Sequence, residues 1–292
     1  MSAVVFILGA GSVGASIGRG LATAGITVAG VYCRDPEHAA QAARTVGAPP
    51  YSEELPPAIR EVDVVLATVP DLSIARLAER AVESAVINDA QVWLHCAGGL
   101  AADALAPLRG RVRGVGTLHP ALAFPRGLVT EIPAGVSFAV DGDPPALDAA
   151  NELIAALGGV AVRVPPEQRV TYHAALVLAS NYLVALLAEA RAVLRHAGMT
   201  TQDAERLLVS LGPSALRAAT DVGIDSSLTG PISRGDAESV ERHLNALAGT
   251  PEAARLYREL GRATLRVARD RSDLSAEQLD ALSTLLEDPD DA

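Results

Sequence analysis

The chain has 292 residues, about twice the length of a typical domain, and its 35 acidic and 24 basic residues give a formal charge of −11. This acidic balance argues against nucleic acid as a partner. All 24 basic residues are arginines because the sequence contains no lysine, which excludes a Walker-type phosphate loop, Schiff-base chemistry and any dehydrogenase mechanism that needs a lysine proton donor.

The first half of the chain alternates short β-branched runs with helical patterns. The predicted strands are Val4–Leu8, Thr27–Tyr32, Asp63–Thr68, Val92–Cys96, Val112–Leu118 and Val136–Val140. Helical patterns between them include Gly14–Ala24, Ile74–Ala85 and Ala146–Leu157. Most of the strands are continuous apolar runs, as expected where helices cover both faces of a sheet. The alternation predicts an α/β fold with a doubly wound parallel sheet and right-handed crossovers.

The second half carries helix signals and no convincing strand. A long helix is predicted over Arg169–His196, with Gly198 ending it. The change of pattern near Val164 predicts two domains: residues 1–164 as a dinucleotide-binding Rossmann domain, and residues 165–292 as an all-helical substrate and dimerisation domain.

The sequence predicts neither a membrane span nor a secretory signal. The longest apolar run, Ala174–Ala188, falls short of the roughly 20 residues that a bilayer span needs, and Ser180 and Asn181 interrupt it. The chain enters its first strand without a basic leader or a small-residue cleavage site. We therefore expect a cytoplasmic protein with no membrane partner.

A glycine-rich turn follows the first strand and reads Gly9-Ala10-Gly11-Ser12-Val13-Gly14. This G-x-G-x-x-G pattern lies between a strand and a helix, which is the context that a dinucleotide-binding motif requires. Gly9 permits a tight turn, Gly11 admits the pyrophosphate, and Gly14 lets the helix pack on the strand. The helix N-terminus, at Ser12 and Val13, supplies amide donors to the phosphates.

The end of the second strand indicates which nucleotide binds. An NAD site usually places an acid there, whereas this chain has Arg34, which is suited to pair with a 2′-phosphate. Asp35 is an alternative ribose ligand, but it precedes Pro36 and is typical of a turn or helix cap. We expect NADP(H) in preference to NAD(H).

Val69 and Pro70 follow the strand Asp63–Thr68. A proline there shapes a loop at the carboxyl edge of the sheet, where ligands bind in open α/β folds. We assign both residues to the cofactor site, with an ordinary strand-ending turn as the alternative.

Together these motifs resemble the 6-phosphogluconate-dehydrogenase-like superfamily, which includes β-hydroxyacid dehydrogenases, ketopantoate reductase, pyrroline-5-carboxylate reductase and prephenate dehydrogenase. Three further motifs are similar to those of a bacterial branch that joins a Rossmann-like domain to a C-terminal helical domain of unknown function. They are Gly116–Pro120, Tyr172–Ala175 with Ala179–Tyr182, and Thr229–Asp236. The resemblance implies NADP binding and a helical dimerisation domain, and it brings no known substrate.

The chain departs from this superfamily at one catalytic position. β-Hydroxyacid dehydrogenases and ketopantoate reductase rely on a lysine from the long helix after the Rossmann domain, and this chain has none. A proton donor of another type is required, which disfavours a simple 3-hydroxyacid or ketopantoate substrate.

His119 is the leading candidate for proton transfer. It follows a predicted strand and precedes Pro120, a context similar to the His-Pro motif of prephenate dehydrogenases, where the histidine acts on the substrate hydroxyl. An unperturbed imidazole has a pKa of about 6.5 and exchanges protons near neutral pH. The alternative is a structural histidine bonded at a strand end.

The long helix and a later loop supply the candidate substrate ligands. His173, Ser180 and Asn181 could face the cleft between the domains, and the resemblance implies that Asn181 orients the substrate. Arg234, in a Gly-Pro…Gly loop, could bind an anionic substrate, with Asp236 as the cap of the next helix. No Cys/His spacing fits a metal site.

The sequence thus predicts an NADP(H)-dependent oxidoreductase that moves hydride to or from a small carbonyl, imine or hydroxy compound. Two alternatives stay open: a prephenate- or arogenate-type dehydrogenase, and a non-catalytic NADP-binding sensor. We also expect a homodimer through the apolar long helix, since a helical domain of this size rarely covers so much apolar surface alone.

Overall fold

The computed structural model describes residues 3–271 and 274–287. Within these residues the chain forms an eight-stranded sheet and ten α-helices. The strands are β1 (Val4–Leu8), β2 (Thr27–Tyr32), β3 (Pro50–Tyr51), β4 (Val64–Ala67), β5 (Val92–His95), β6 (Gly114–Pro120), β7 (Ser137–Gly142) and β8 (Val160–Arg163). The helices are α1 (Ser12–Thr23), α2 (Pro36–Val46), α3 (Ile74–Glu83), α4 (Pro144–Ala156), α5 (Arg169–Ala179), α6 (Asn181–His196), α7 (Thr201–Val222), α8 (Ala237–Ala246), α9 (Pro251–Asp270) and α10 (Ala276–Leu286).

The sheet has the order β3-β2-β1-β4-β5-β6-β7-β8, and its first six strands run parallel. This confirms the predicted doubly wound α/β fold. The sheet departs from the all-parallel expectation at β7, which runs antiparallel to β6, and β8 follows the direction of β7. The strand order reverses between β1 and β4, and such a reversal opens a crevice at the carboxyl ends of the strands.

Helices cover both faces of the sheet, as the continuous apolar strands predict. Along β1, Val5 and Ile7 pack in one apolar cluster with α1 and α4, while Phe6 and Leu8 pack in a second cluster with α3. All four side chains are fully buried. Since neighbouring residues of a strand point to opposite faces, both faces of β1 belong to the core.

Several elements differ from the prediction. The strand pattern did not indicate β3, which has only two residues, or β8, whose four residues are all exposed. Helix α2 also escaped prediction, although Asp35 is its N-cap and accepts bonds from two backbone amides, as its position before Pro36 suggested. The predicted long helix is two helices, because the backbone leaves helical geometry at Ser180.

The chain divides into two compact units, Met1–Ser180 and Asn181–Ala292. The division falls 16 residues beyond the boundary predicted at Val164. The physical reason is that α5 packs within the first unit, where Arg169 is buried and Tyr172 bonds to His119. The predicted acidic tail from Asp288 onwards lies outside the described residues.

The described part of the second unit is helical throughout, as predicted. Its apolar core is small and joins α8, α9 and α10 through Ile232, Val240, Leu244, Leu265, Leu282 and Leu286. Within the unit, α6 has no buried residue and α7 buries only Ala204.

One stretch, Pro166–His196, is long and apolar enough to cross a membrane by length and composition alone. Its first part is α5, which belongs to the first unit, where Arg169 is almost completely buried. Helix α6 alone has 16 residues, fewer than the roughly 20 that a span needs. The structure therefore gives weak support to a membrane-spanning helix here.

Candidate functional site

The glycine-rich turn has the geometry that the sequence predicts. Gly9 adopts φ +129°, a conformation that favours glycine, and a Cβ atom at this position would lie 2.6 Å from the Thr68 carbonyl oxygen. A Cβ atom on Gly14 would lie 2.1 Å from the Gly9 oxygen, so α1 packs on β1 only because this residue is glycine. A Cβ atom on Gly11 would meet nothing within 4 Å, which leaves the N-terminus of α1 open to a ligand.

The turn lies in a cleft of about 500 Å³ in the first unit, between Arg34 after β2 and Ala97 after β5. The cleft lies at the reversal of strand order, beside the carboxyl ends of β1 and β4. Six residues predicted for the cofactor site line it together: Gly9, Gly11, Val13, Arg34, Val69 and Pro70. These residues leave open space and amide donors at a helix N-terminus, which fits a dinucleotide.

Ser12 is also predicted as a cofactor ligand, but its side chain bonds to a loop of the protein. Its hydroxyl donates to the carbonyl oxygen of Pro125 at 2.8 Å and accepts from the amide of Gly127 at 3.0 Å. The hydroxyl therefore holds the loop of residues 121–136 against α1. Its backbone amide stays at the helix N-terminus, where the prediction places a phosphate.

Three arginines also line the cleft. Arg34 follows β2 as predicted, and it shares the cleft with Arg76 and Arg80 of α3, which the sequence reasoning missed. These two residues are four apart on the helix and therefore lie on one face. Asp71 is the one acid among the residues that line this cleft. The lining suits a ligand with a strongly anionic end.

The cleft extends along the carboxyl edge of the sheet to the end of β5. Cys96 and Ala97 line it, and the next residue, Gly98, lies against two histidines. A Cβ atom on Gly98 would lie 2.7 Å from Nε2 of His119 and 2.5 Å from Nδ1 of His173. The structure thus brings together the two histidines that the sequence singled out, directly beside the predicted cofactor cleft.

Strand direction explains how α5 reaches this edge. Because β8 runs antiparallel to β6, the chain leaves β8 away from the carboxyl edge, and α5 then runs back towards it. Arg169 at the start of α5 hydrogen-bonds Thr117 of β6, and one turn later the hydroxyl of Tyr172 lies 2.9 Å from Nδ1 of His119. The imidazole of His173 is perpendicular to that of His119, with the ring centroids 6.0 Å apart.

The electrostatics of this cluster differ from the expectation of a histidine that titrates near neutral pH. Burial, with His173, Arg169 and His95 nearby, lowers the pKa of His119 from 6.5 to about 4. Its imidazole is therefore neutral at neutral pH, because desolvation disfavours the charged form. Burial likewise raises the pKa of Tyr172, and the charge of Arg169 opposes that rise.

His95 is a further buried histidine that the sequence reasoning did not select. Its Nδ1 accepts a hydrogen bond from the Ala97 amide at 3.2 Å, and its Nε2 lies 3.0 Å from the Ala101 carbonyl oxygen. The proton therefore sits on Nε2, and burial lowers the pKa of His95. This neutral histidine fixes the backbone that leads to Gly98.

The remaining predicted site residues lie elsewhere. Ser180 ends the first unit, and Asn181 begins α6 in the second; both are exposed. Arg234 is exposed in a short 3₁₀ turn of the second unit, where its carbonyl oxygen lies 3.5 Å from Nε2 of Gln278. Asp236 caps α8 as predicted, accepting from the Ser239 amide at 3.0 Å. The roles of Ser180, Asn181 and Arg234 towards a substrate stay predictions.

Among the described residues, no group of three or more His, Cys, Asp or Glu side chains is placed to hold a metal ion. The site instead consists of backbone amides, arginines, neutral imidazoles and a phenol. These groups donate hydrogen bonds and stabilise negative charge.

The fold and the cleft define a Rossmann-type protein of the NAD(P)-dependent oxidoreductase class. Two family models match the chain: "NADP oxidoreductase coenzyme F420-dependent" over residues 3–90, and "Domain of unknown function (DUF2520)" over residues 136–264. The chain thus joins an NADP-binding Rossmann domain to a helical domain of the second kind, which confirms the resemblance drawn from its motifs.

Solved structures show the same fold along nearly the whole chain. A Bacteroides fragilis protein proposed to be an NADP oxidoreductase is 22% identical, with a TM-score of 0.71, covering 91% of this chain and 98% of that one. An imine reductase from Myxococcus stipitatus in complex with NADP⁺ is 14% identical, with a TM-score of 0.64 and coverages of 97% and 100%. A pyrroline-5-carboxylate reductase from Coxiella burnetii is 15% identical, with a TM-score of 0.60 and coverages of 99% and 100%. A search of the curated proteins found no match.

Proposed function

We propose that this protein is an NADP(H)-dependent oxidoreductase that transfers hydride to or from a small carbonyl, imine or hydroxy compound. The observation that carries the proposal is the continuity of the site. The cleft that contains the glycine-rich turn reaches Ala97, and the next residue, Gly98, lies against both His119 and His173. A cofactor along this cleft would bring its reactive ring beside groups that exchange protons. Bound NADPH supplies the hydride.

The preference for NADP(H) over NAD(H) is supported by the arginines of the cleft. A 2′-phosphate carries up to two negative charges, and guanidinium groups bind phosphate through paired hydrogen bonds. Arg34, Arg76 and Arg80 are placed to share this role. Asp35, the candidate ribose ligand of an NAD site, is engaged as the cap of α2. The imine reductase solved with NADP⁺ has the same fold, which is consistent with this preference.

The test is calorimetric titration of the purified protein with NADPH and with NADH. We expect NADPH to bind more tightly, and Arg34→Ala, Arg76→Ala and Arg80→Ala each to weaken it about tenfold or more, as expected when one arginine–phosphate contact of roughly 1.5–3 kcal/mol is lost. In these variants the affinity for NADH should stay within a factor of about two of the wild-type value, because NADH lacks the 2′-phosphate. Arg113→Ala, at an exposed arginine outside the cleft, is the matched control.

Four outcomes would contradict or change parts of the proposal. Equal affinity for the two nucleotides would remove the NADP preference, and binding of neither would remove the oxidoreductase function. Tight NADPH binding without oxidation, across panels of carbonyl and imine compounds, would favour the sensor. Turnover of prephenate or arogenate would favour the dehydrogenase suggested by His119-Pro120.

We also propose that the protein acts as a cytoplasmic homodimer. In the second unit, α6 and α7 present large exposed side chains such as Val184, Val209 and Leu211. A groove of about 1010 Å³ lies between α6, α7, α8 and α9 and is lined mainly by apolar residues. Exposed apolar surface of this extent favours association, and a second copy carries the complementary apolar helices.

A further inference from the structure

Three side chains form a continuous series from the interior of the first unit to the cofactor edge. The guanidinium carbon of Arg169 lies 6.0 Å from the centre of the Tyr172 ring. The hydroxyl of Tyr172 lies 2.9 Å from Nδ1 of His119. The other ring nitrogen of His119, Nε2, faces Gly98 at the end of the cleft. The series therefore ends beside Gly98, the residue that follows Ala97 of the cleft lining.

The direction of the hydrogen bond between Tyr172 and His119 depends on which nitrogen carries the imidazole proton. Among the described residues, Nδ1 of His119 is the one hydrogen-bond partner of the Tyr172 hydroxyl. When the phenol donates to Nδ1, its hydrogen has an acceptor and the single proton of the neutral imidazole sits on Nε2.

We propose that Tyr172 and His119 form a proton relay that protonates the substrate during reduction, with Arg169 as a positioning residue. This inference rests on the proposed oxidoreductase function. It assigns a donor in a chain that contains no lysine.

In the relay step one hydride and two protons move. Hydride from the reduced nicotinamide adds to the carbonyl or imine carbon, and the π-bond electrons move to the oxygen or nitrogen. That atom takes the proton of His119 Nε2, while Nδ1 takes the proton of the Tyr172 hydroxyl. The imidazole is neutral before and after the step, and a phenolate is left. The phenolate then takes back the proton of Nδ1 while Nε2 takes a proton from water, which restores the starting tautomer. In oxidation every step is reversed.

The relay is needed because an imidazolium is scarce at neutral pH. With a pKa of about 4, His119 is protonated in only about one molecule in a thousand at pH 7. A neutral imidazole that gives up Nε2–H without gaining a proton would become an imidazolate. Simultaneous donation by Tyr172 avoids that charge.

Arg169 is placed to stabilise the phenolate. It is 1% exposed, and it donates to Thr117, while Nε and Nη1 have no hydrogen-bond partner among the described residues. Asp141 of β7 interacts with it electrostatically. The other charged or titratable groups acting on His119 are His95 of β5 and His173 of α5. Among the described residues that act on His119, no carboxylate competes for the phenol proton.

The first test needs no substrate. In the full-length protein with ¹⁵N-labelled imidazoles, two-bond ¹H–¹⁵N correlations report which nitrogen of each of the six histidines is protonated, and His119→Gln assigns the signal of His119. We expect His119 to carry its proton on Nε2 between pH 6 and 8 (about the range of ordinary assays). Tyr172→Phe removes one oxygen and should mix the two tautomers. A wild-type proton on Nδ1 would overturn the relay.

The second test uses turnover of an imine and carbonyl panel with NADPH. We expect Tyr172→Phe to lower kcat at least about tenfold with KM nearly unchanged, in line with the usual size of acid–base contributions. The rate plotted against the fraction of D₂O should be curved for the wild type, where two protons move, and linear for Tyr172→Phe. Tyr182→Phe, at an exposed tyrosine, is the control. Equal kcat and equal curvature in both proteins would overturn the relay.

Calorimetry separates the two levels of the proposal. If Tyr172→Phe binds NADPH like the wild type, and His119 of the wild type carries its proton on Nε2, the proposed oxidoreductase function and the relay both stand. If NADPH binds but the tautomer is reversed, the relay alone fails. If the wild type binds no nucleotide, the proposed function fails, and with it the relay.

Discussion

Ser12 and Pro125 are 113 residues apart in the chain, and one hydrogen bond of 2.8 Å joins them across the start of α1. A second serine of the same helix, Ser16, accepts from the amide of Thr130 at 2.8 Å. The two serines together fix the loop between β6 and β7 beside the glycine-rich turn. This loop therefore lies next to the N-terminus of α1, where we expect phosphates to bind.

Ser12→Ala should release this loop. The change removes two hydrogen bonds, each worth about 0.5–1.5 kcal/mol, and we expect a loss of about 1–2 kcal/mol in the free energy of unfolding. Hydrogen exchange measured by mass spectrometry should show faster exchange at Gly127 and its neighbours. Ser84→Ala, at an exposed serine of the same unit, should leave the loop unchanged. An unchanged loop with lost nucleotide affinity would mean that the hydroxyl contacts the cofactor instead.

Gly98 and Gly99 offer a matched pair of substitutions. Gly98→Ala places a methyl group within 2.7 Å of both His119 and His173, whereas Gly99→Ala meets its nearest atom at 3.6 Å, an ordinary contact. We expect Gly98→Ala to cost about 1–3 kcal/mol of stability through overpacking and to displace the two imidazoles. Gly99→Ala should keep nearly the stability and the imidazole positions of the wild type. Chemical denaturation and the imidazole NMR signals check this, and equal behaviour of the two variants would contradict the placement of the histidines.

The buried neutral His119 should make stability depend on pH. Its pKa is about 4 in the folded protein and about 6.5 in the unfolded chain, so the unfolded chain binds more protons between these values. Stability is therefore fully present above pH 6.5 and falls as the pH drops towards 4. For His119 alone the loss at pH 4.5 is about 2–3 kcal/mol.

Urea unfolding at pH 7 and at pH 4.5 measures this effect. We expect His119→Gln to lose less stability than the wild type between the two values, whatever its stability at pH 7. His38→Gln, at an exposed histidine of α2, should lose as much as the wild type. A His119→Gln variant with the full wild-type loss would show that His119 titrates normally in the folded protein.

The proposed dimer predicts a sedimenting mass near twice 30.0 kDa at micromolar concentration. Leu211 is 66% exposed on α7 and lines the apolar groove of the second unit. Leu211→Glu would bury a charge in the interface, and we expect it to yield monomers. Leu72→Glu, at a fully exposed leucine of the first unit, is the control. A monomeric wild type would contradict the proposal.

Local motifs allowed prediction of the cofactor cleft, because a glycine-rich turn between strand and helix depends on only a few neighbouring residues. Gly9 and Gly14 are required by contacts within this turn. His119 and His173 were found through their motifs, although their proximity depends on where α5 packs. Arg76 and Arg80 escaped notice, because their role depends on which face of α3 lies towards β2.

Long-range packing limited the rest of the prediction. Tyr172 stands directly before His173 in a motif that drew attention to the histidine alone, and Arg169 was read as the start of a helix. Both gain their significance from contacts with Thr117 and His119, more than 50 residues earlier. The lowered pKa of His119 is likewise a property of its surroundings, since the isolated residue titrates near neutral pH.

The position of α5 at the end of the first unit determines the order in which the parts of the site are synthesised. The turn and strands that build the nucleotide cleft all come from the first hundred residues, whereas α5 is the last helix of the first unit. Every residue that lines the cleft thus leaves the ribosome before Tyr172 does. Until then the imidazole of His119 has no phenol beside it, so the proton-donating pair is the last part of the site to be synthesised.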